Sequence, residues 1–246
     1  MKIALIGYGQ MGHILEMVAQ KRQHTIVAKI DPYVPDATHK EISEISVKEA
    51  QVCIDFSHPE AFWENLKKLL SLEKNIVAGT TGWYDRAEEA KNLIGNKIGF
   101  VYGSNFSLGV NLFYRIVEKA ADTMKAFAGY DVAGVEYHHN KKADSPSGTA
   151  KSLAQIIKTQ IPRKESIVYD AVNRKILPQE LHFASLRCGS IPGTHKIFFD
   201  SDADTIELSH TARNREGFAL GAILAAEWII EKKGFFTVQD FFKEIL

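Results

Sequence analysis

Residues 136–150 read EYHHNKKADSPSGTA. Two adjacent histidines, His138 and His139, are followed by Lys142 and Asp144, and then by Ser147-Gly148-Thr149. The stretch puts proton-transferring imidazoles beside cations and a turn able to hold an anion. Beyond Ser147 the apolar residues Ala150, Leu153, Ala154 and Ile157 follow at i, i+3, i+4, i+7 spacing, so a helix starts at Pro146-Ser147. Its first amides lack intrahelical partners and could take a carboxylate. Simple capping by Ser147 or Asp144 accounts for the same residues, as does a plain basic loop before an ordinary helix. Neither requires Gly148, which is costly in a helical turn; close approach of a ligand to the backbone explains it better. Adjacent histidines on a strand point to opposite faces, so one at most is needed for proton transfer. No third ligand at metal spacing accompanies them, and no metal is expected.

A second constellation lies at the other end of the chain. Gly7-Tyr8-Gly9-Gln10-Met11-Gly12 is a G-x-G-x-x-G directly after the apolar run KIALI. In a dinucleotide fold the first glycine makes the tight turn, the second lets the backbone approach a pyrophosphate, and the third lets helix and strand pack closely. The next strand candidate, TIVAKI, ends at Asp31, at the ~20-residue spacing of the acid that accepts from ribose hydroxyls. An acid there repels a 2′-phosphate, and Pro32 and Tyr33 offer no arginine to receive one. NADH or NADPH is therefore the expected cofactor, with NADH favoured from Asp31, although Lys29 and Lys40 could help NADPH. The alternative for Asp31 is a strand-end turn residue. Gly79-Thr80-Thr81 and Ser104-Asn105-Phe106-Ser107 follow further strand candidates and are expected on the same crevice, since ligands of open α/β sheets gather at strand carboxyl ends.

The elements that would position these residues change character along the chain. KIALI (2–6), TIVAKI (25–30), VCIDF (52–56), NIVAG (75–79) and IGFVY (98–102) are short, β-branched runs separated by helical patterns such as Ala61, Leu66, Leu69 and Leu70. That alternation predicts a parallel sheet covered on both faces. After about residue 108 a long helix (109–127) leads to DVAGVEYHH (131–139). Four strand candidates follow with little helix between them: 166–171, 181–187, 196–200 and 204–212. The fold class is thus α/β: a Rossmann-like N-terminal dinucleotide-binding domain with a C-terminal α+β domain holding a mixed sheet. The apolar helix at 216–233 is expected to return to the first domain. The change of pattern sets the boundaries at 1–107 plus 217–246 for the dinucleotide domain and 108–216 for the second domain.

Composition narrows the partners. With 246 residues, 45% hydrophobic and 24% charged, the chain can bury real cores. Lys+Arg and Asp+Glu balance at 30 each, so no global field favours nucleic acid or a membrane surface, and any anionic ligand must be held locally. Cys53 and Cys188 lack metal or disulfide spacing and read as buried free thiols of a reducing, cytoplasmic setting.

The run E-x-H-H-x-x-K-x-D-x-P-S-G-T-A resembles the signature of the 4-hydroxy-tetrahydrodipicolinate reductase (dihydrodipicolinate reductase) family of lysine and diaminopimelate synthesis. The likeness extends to GYGQMG, GTTGW (79–83), SNFSLGVN (104–111), RCGSIPGTH (187–195) and H-T-A-x-x-R-x-x-F-A-x-G-A (210–222). The resemblance implies NAD(P)H-dependent reduction of a cyclic imine dicarboxylate. By matching positions, it makes His138 the proton donor or acceptor and Lys142 the proton donor. His139, Gly148 and Thr149 match substrate-binding positions. Gly7, Tyr8, Gly9, Gln10, Met11, Gly12, Asp31, Gly79, Thr80, Thr81, Ser104, Asn105, Phe106 and Ser107 match the cofactor site, with Arg215 and Phe218 nearby. It further implies a homotetramer built through the second domain's sheet. Two features depart from many members: a glycine loop one residue shorter, and Asp31-Pro32 where an acid-Arg pair is usual. Competing readings are another two-domain Rossmann oxidoreductase, such as an amino-acid dehydrogenase, and a non-catalytic dinucleotide sensor. The first would lack the H-H-x-x-K…S-G-T combination, and the second would have lost the proton donor.

Overall fold

The computed structural model describes all residues from 1 to 246. The chain divides into two compact units, Met1–Leu108 with Arg215–Leu246, and Gly109–Asn214.

The first unit carries a sheet of six parallel strands: β1 (Lys2–Ile6), β2 (Thr25–Ile30), β3 (Val52–Asp55), β4 (Asn75–Ala78), β5 (Gly99–Tyr102) and β11 (Gly234–Thr237). Their order is β11-β5-β4-β3-β1-β2, so the chain reverses direction across the sheet beside β1. Helices α1 (Gln10–Lys21), α2 (Glu44–Val47), α3 (Pro59–Ser71), α4 (Ala87–Ile94), α7 (Glu216–Ile229) and α8 (Val238–Ile245) belong to this unit. Alternation along the strands feeds two cores. Ile3, Leu5, Val52 and Ile54 pack with Leu15, Ala222 and Phe241, while Ala4, Ile6, Cys53 and Ile76 pack with Phe62, Leu66 and Trp83. A period of two with both faces apolar is what burial of a parallel sheet demands.

Register places the strand ends in one row. Ile30 pairs with Ile6, Ile6 with Asp55, Asp55 with Ala78, and Ala78 with Tyr102. The loops beginning at Gly7, Asp31, Phe56, Gly79 and Gly103 therefore all leave from the same sheet edge, at the switch point where β1 has neighbours on both sides.

The second unit has a five-stranded mixed sheet of order β10-β9-β6-β8-β7. Its strands are β6 (Asp131–His138), β7 (Ser166–Val168), β8 (Glu180–Arg187), β9 (Thr194–Asp200) and β10 (Thr205–Thr211). β6 runs parallel to β8 and antiparallel to β9. Helices α5 (Leu108–Met124) and α6 (Gly148–Gln160) pack one face of it through Phe113, Val117, Leu153 and Ile157 against Val132, Phe183, Ile197 and Phe199.

The α/β class and the mixed second sheet expected from the sequence are both present. Several details differ. The helices expected over 109–127 and 216–233 end earlier, at Met124 and Ile229. On α3 the buried stripe is Phe62, Leu66 and Leu69, and Ala61 is exposed, because the larger ring takes the core position. The strand expected over 166–171 shortens to Ser166–Val168. The sequence pattern does not show β11 and α8: a four-residue strand directly after the charged run EKK has little periodicity.

Candidate active site

The row of strand ends in the first unit forms a backbone-lined edge. Gly7 has φ +84°, its amide donates to Ile30 O at 2.9 Å, and a Cβ on it would meet Phe56 O at 2.5 Å. Only glycine fits there. A Cβ on Gly12 would stand 2.7 Å from Gly7 O, so this glycine lets α1 pack tightly on the turn. Gly9 differs from both: a Cβ there would meet nothing within 4 Å. Gly9 is also the N-cap of α1, and no side chain caps that helix start.

Asp31 is the hub of this edge. Its Oδ2 accepts the amide of Tyr8 at 2.9 Å, and its Oδ1 accepts those of Tyr33 at 2.9 Å and Val34 at 3.0 Å. Burial pushes its pKa up, but the three amides and nearby Lys40 more than offset this and hold it below the usual carboxylate value. The turn role is the one seen; an ionised carboxylate has about four acceptor sites, so three amides leave it room to accept one more donor. Lys29 is engaged elsewhere, 3.5 Å from Glu16 and over the Tyr8 ring. Lys40 donates to Val34 O.

Several expected cofactor residues turn their side chains inward. Tyr8 is buried, with its hydroxyl on Glu16, and Phe106 lies in the core. The Thr80 hydroxyl donates to Asp55 Oδ1 at 2.7 Å. Their backbones are engaged too: the Tyr8 amide is taken by Asp31 and Thr80 N donates to Asp55 O at 3.2 Å, so these residues shape the edge from beneath. Thr81 and Ser104 are exposed, and Asn105 Oδ1 accepts the Ser107 amide at 2.9 Å. Arg215 donates to the Gln10 side chain at 2.7 Å, which puts it beside the glycine loop. Asp55 was missed by sequence reasoning. Fully buried, it accepts from Ser57, Asn65 and Thr80 and so ties two of the loops together; burial raises its pKa against those bonds. Its signal was an acid closing an otherwise apolar strand.

In the second unit the histidine stretch ends β6. Glu136 and His138 lie two apart and share the inward face. His138 O accepts the amide of Cys188 at 2.8 Å, which carries the strand into the loop after β8. His139 follows the strand end and is half-buried. Lys142 sits in the turn, its Nζ 2.6 Å from Asp144 Oδ1, and this ion pair lowers the Asp144 pKa. Ser147 is the N-cap of α6: its Oγ accepts from Ala150 N at 3.1 Å, so Ser147 rather than Asp144 takes the capping role. Gly148 faces open space where a Cβ would be, and Thr149 is half-buried.

Around the same point the fold brings three residues from other strands. Arg187 Nη2 donates to Glu136 Oε1 at 3.0 Å and to Asp144 O at 2.6 Å. Ser185 Oγ and the Ser147 amide also donate to Glu136 Oε1, at 2.8 and 2.9 Å. His195 Nε2 lies 3.5 Å from Glu136 Oε2 and 3.3 Å from Ser147 Oγ. Burial lowers the His195 pKa, and so do the charges of His138 and Lys142, against the opposing pull of Glu136. Glu136, Arg187 and His195 escaped the sequence reading as site residues, although Arg187 and His195 bound the segment RCGSIPGTH. The result is a local concentration of imidazole, ammonium, guanidinium and helix amides in a chain of zero net charge. Lys142 is paired with Asp144 and Arg187 with Glu136, so what the corner concentrates is proton-exchanging groups beside a helix start rather than unpaired positive charge.

Cys53 is buried, and burial pushes its pKa up to about 12. Cys188 is exposed, contrary to expectation, because it falls in the loop just past β8. No helix is long and apolar enough to cross a membrane.

Residues 1–106 match the family profile described as dihydrodipicolinate reductase, N-terminus, and residues 109–242 match its C-terminus counterpart. A 4-hydroxy-tetrahydrodipicolinate reductase from Christiangramia forsetii is 39% identical, over 100% of this chain and 99% of that protein. One from Buchnera aphidicola is 33% identical over 99% and 97%. Among solved structures, a dipicolinate-bound dihydrodipicolinate reductase from Paenisporosarcina sp. TG-14 superposes with a TM-score of 0.77 over 97% of this chain and 98% of that one. At 22% identity the likeness is one of fold.

Proposed function

The chain belongs to the dihydrodipicolinate reductase family, and from that premise we propose that it reduces 4-hydroxy-tetrahydrodipicolinate to tetrahydrodipicolinate. One hydride and one proton enter and one water leaves. The observation that carries this reading is the cluster at the end of β6. There Lys142, His138 and the start of α6 combine proton donors with carboxylate partners. Lys142 is the proton donor, His138 the donor or acceptor, and His139, Gly148 and Thr149 hold substrate. The second unit is then the substrate-binding and oligomerisation domain, and the first the dinucleotide-binding domain.

The first unit's glycine edge suits a dinucleotide, given the open space at Gly9, the uncapped start of α1 and the ionised Asp31. A bound nicotinamide supplies the hydride. The backbone of Gly7 to Gly12, Gly79 to Thr81 and Ser104 to Ser107 binds it, and Asp31 takes the ribose. Because Asp31 stays ionised and Lys29 is committed to Glu16, NADH is the preferred donor over NADPH. The test is loss of reduced-nicotinamide absorbance on adding substrate made in situ by the preceding synthase. Turnover with a higher kcat/KM for NADH is expected. No turnover with either cofactor refutes the function, and a preference for NADPH refutes the role given to Asp31.

The protein acts as a homotetramer in the cytoplasm. The exposed, unpaired Cys188 suits a reducing compartment. The face of the second unit's sheet turned away from α5 and α6 carries Ala133, Val135 and Tyr137 of β6, Ala184 and Leu186 of β8, and Phe198 of β9. None of these joins a buried cluster, and Leu186 is 47% exposed. An apolar sheet face of this kind serves as an interface. Light scattering is expected to give four times the chain mass of 27.5 kDa; a monomer refutes the assembly.

A further inference from the structure

Glu136 is completely buried, and it is ionised. Burial alone would push its pKa up, yet the histidines and the Ser147 groups around it hold it far below the usual carboxylate value. An ionised carboxylate in an apolar interior is costly unless several partners compensate it. Capping α6 does not explain the expense, because the Ser147 side chain already caps that helix.

Its two oxygens face different partners. Oε1 accepts from the Ser147 amide, the Ser185 hydroxyl and Arg187 Nη2. Oε2 has no aligned hydrogen bond and stands 3.2 Å from His138 Nδ1, at ion-pair distance. The other ring nitrogen of His138 points toward Gly193: a Cβ built on that glycine, whose φ is +141°, would lie 3.1 Å from His138 Nε2. Nδ1 thus faces the carboxylate at ion-pair distance, while the residue next to Nε2 is one without a side chain.

We propose that Glu136 is a positioning residue for the reduction: Oε2 fixes His138 with Nδ1–H inward and Nε2 presented to the substrate, while Oε1 ties the amide-bearing start of α6 to the same anchor. The inference rests on the reading of His138 as a proton-transferring group. A carboxylate behind an imidazole selects the tautomer and steadies the imidazolium that forms when the ring takes a proton. Because one side chain holds both His138 and Ser147, the proton-transfer group and the carboxylate-binding amides keep a fixed relation. Glu136 Oε2 and one ring nitrogen each of His138 and His195 also lie within 4.8 Å of one another, a spacing a divalent ion could use. The guanidinium already paired with this carboxylate disfavours that occupant, since a dication beside it would meet unrelieved positive charge.

Glu136→Gln in the full-length chain tests the proposal. The amide keeps the shape, and its oxygen can still accept from Ser147, Ser185 and Arg187. Its NH₂ then faces His138 Nδ1, which must become an acceptor. In ¹⁵N-edited NMR, neutral His138 is expected to carry its proton on Nδ1 in the wild type and on Nε2 in the variant. Turnover is expected to fall roughly tenfold to a hundredfold, with the KM for NADH within about twofold. A wild-type ring protonated on Nε2 overturns the proposal, and that measurement stands even if the variant does not fold. Unchanged turnover in Glu136→Gln beside an active wild type overturns it alone. An inactive wild type instead overturns the reading on which it rests. Concerted shifts of His138 and His195 on titrating zinc ion at micromolar concentration overturn it in favour of a metal site.

Discussion

Lys142→Ala is expected to cut reductive turnover roughly 10²- to 10⁴-fold, the range typical of a lost general acid, while leaving NADH affinity within about twofold. The side chain lies in the turn that follows β6, and its ammonium is 2.6 Å from Asp144 Oδ1. That partner is more than half exposed, and such pairs contribute only about 0–1 kcal/mol. Removing the ammonium therefore costs the fold little, and a large loss of rate cannot be assigned to unfolding. A weak pair is also one the lysine can leave when a substrate carboxylate or ring nitrogen arrives. Steady-state rates together with NADH fluorescence titration separate the two effects. Equal losses in turnover and cofactor affinity would sink the assignment, since a proton donor to substrate has no reason to weaken dinucleotide binding.

The parallel sheet was legible because its strands are short, apolar on both faces and punctuated by glycine, a pattern set by local burial. The histidine motif was legible for a similar reason: its proton donors, cation and helix start sit within fifteen consecutive residues. What surrounds it was not. Register sets Glu136 directly opposite His195 on β9 and opposite Ser185 on β8, and sets His138 opposite Arg187. Those partners lie 49 to 59 residues downstream, and pairing at that separation depends on which strands become neighbours. Composition carries no trace of it. The absence of a third metal ligand at sequence spacing likewise said nothing about His195. Asp31 illustrates the opposite limit. Both sequence readings, turn residue and ribose acceptor, fit one carboxylate, and the amides of Tyr8, Tyr33 and Val34 show the turn role directly. α8 does carry a local signal, since Thr237 and Asp240 form a reciprocal capping box.

Gly7→Ala and Gly9→Ala are expected to part company, and the contrast tests the dinucleotide site without reference to turnover. At Gly7 an added Cβ meets only backbone: Phe56 O at 2.5 Å, Phe56 C at 2.8 Å and Ser57 Cα at 2.9 Å. No side chain can swing aside, and φ of +84° adds roughly 1–2 kcal/mol of strain for an L-residue. The same turn anchors two strands, through Gly7 N on Ile30 O and Phe56 N on Ile6 O. Gly7→Ala is accordingly expected to lower Tm by several degrees and to abolish measurable NADH binding. At Gly9 a Cβ meets nothing within 4 Å, and the residue is an extended N-cap at φ −76°. Alanine fits there, so Tm is expected to hold within about 2 °C, alanine being a weaker N-cap than glycine by a fraction of a kcal/mol. If a pyrophosphate lies against that backbone, the methyl group occupies its place, and NADH affinity falls by about tenfold or more, at least ~1.4 kcal/mol. Calorimetric titration of NADH beside a thermal melt reads both quantities. A Gly9→Ala protein that melts like the wild type and binds NADH equally well would show that the open space beside α1 is mere solvent and that the cofactor lies elsewhere. Stability kept with affinity lost is the outcome only a close backbone–phosphate approach explains, because no residue of the unit contests that space.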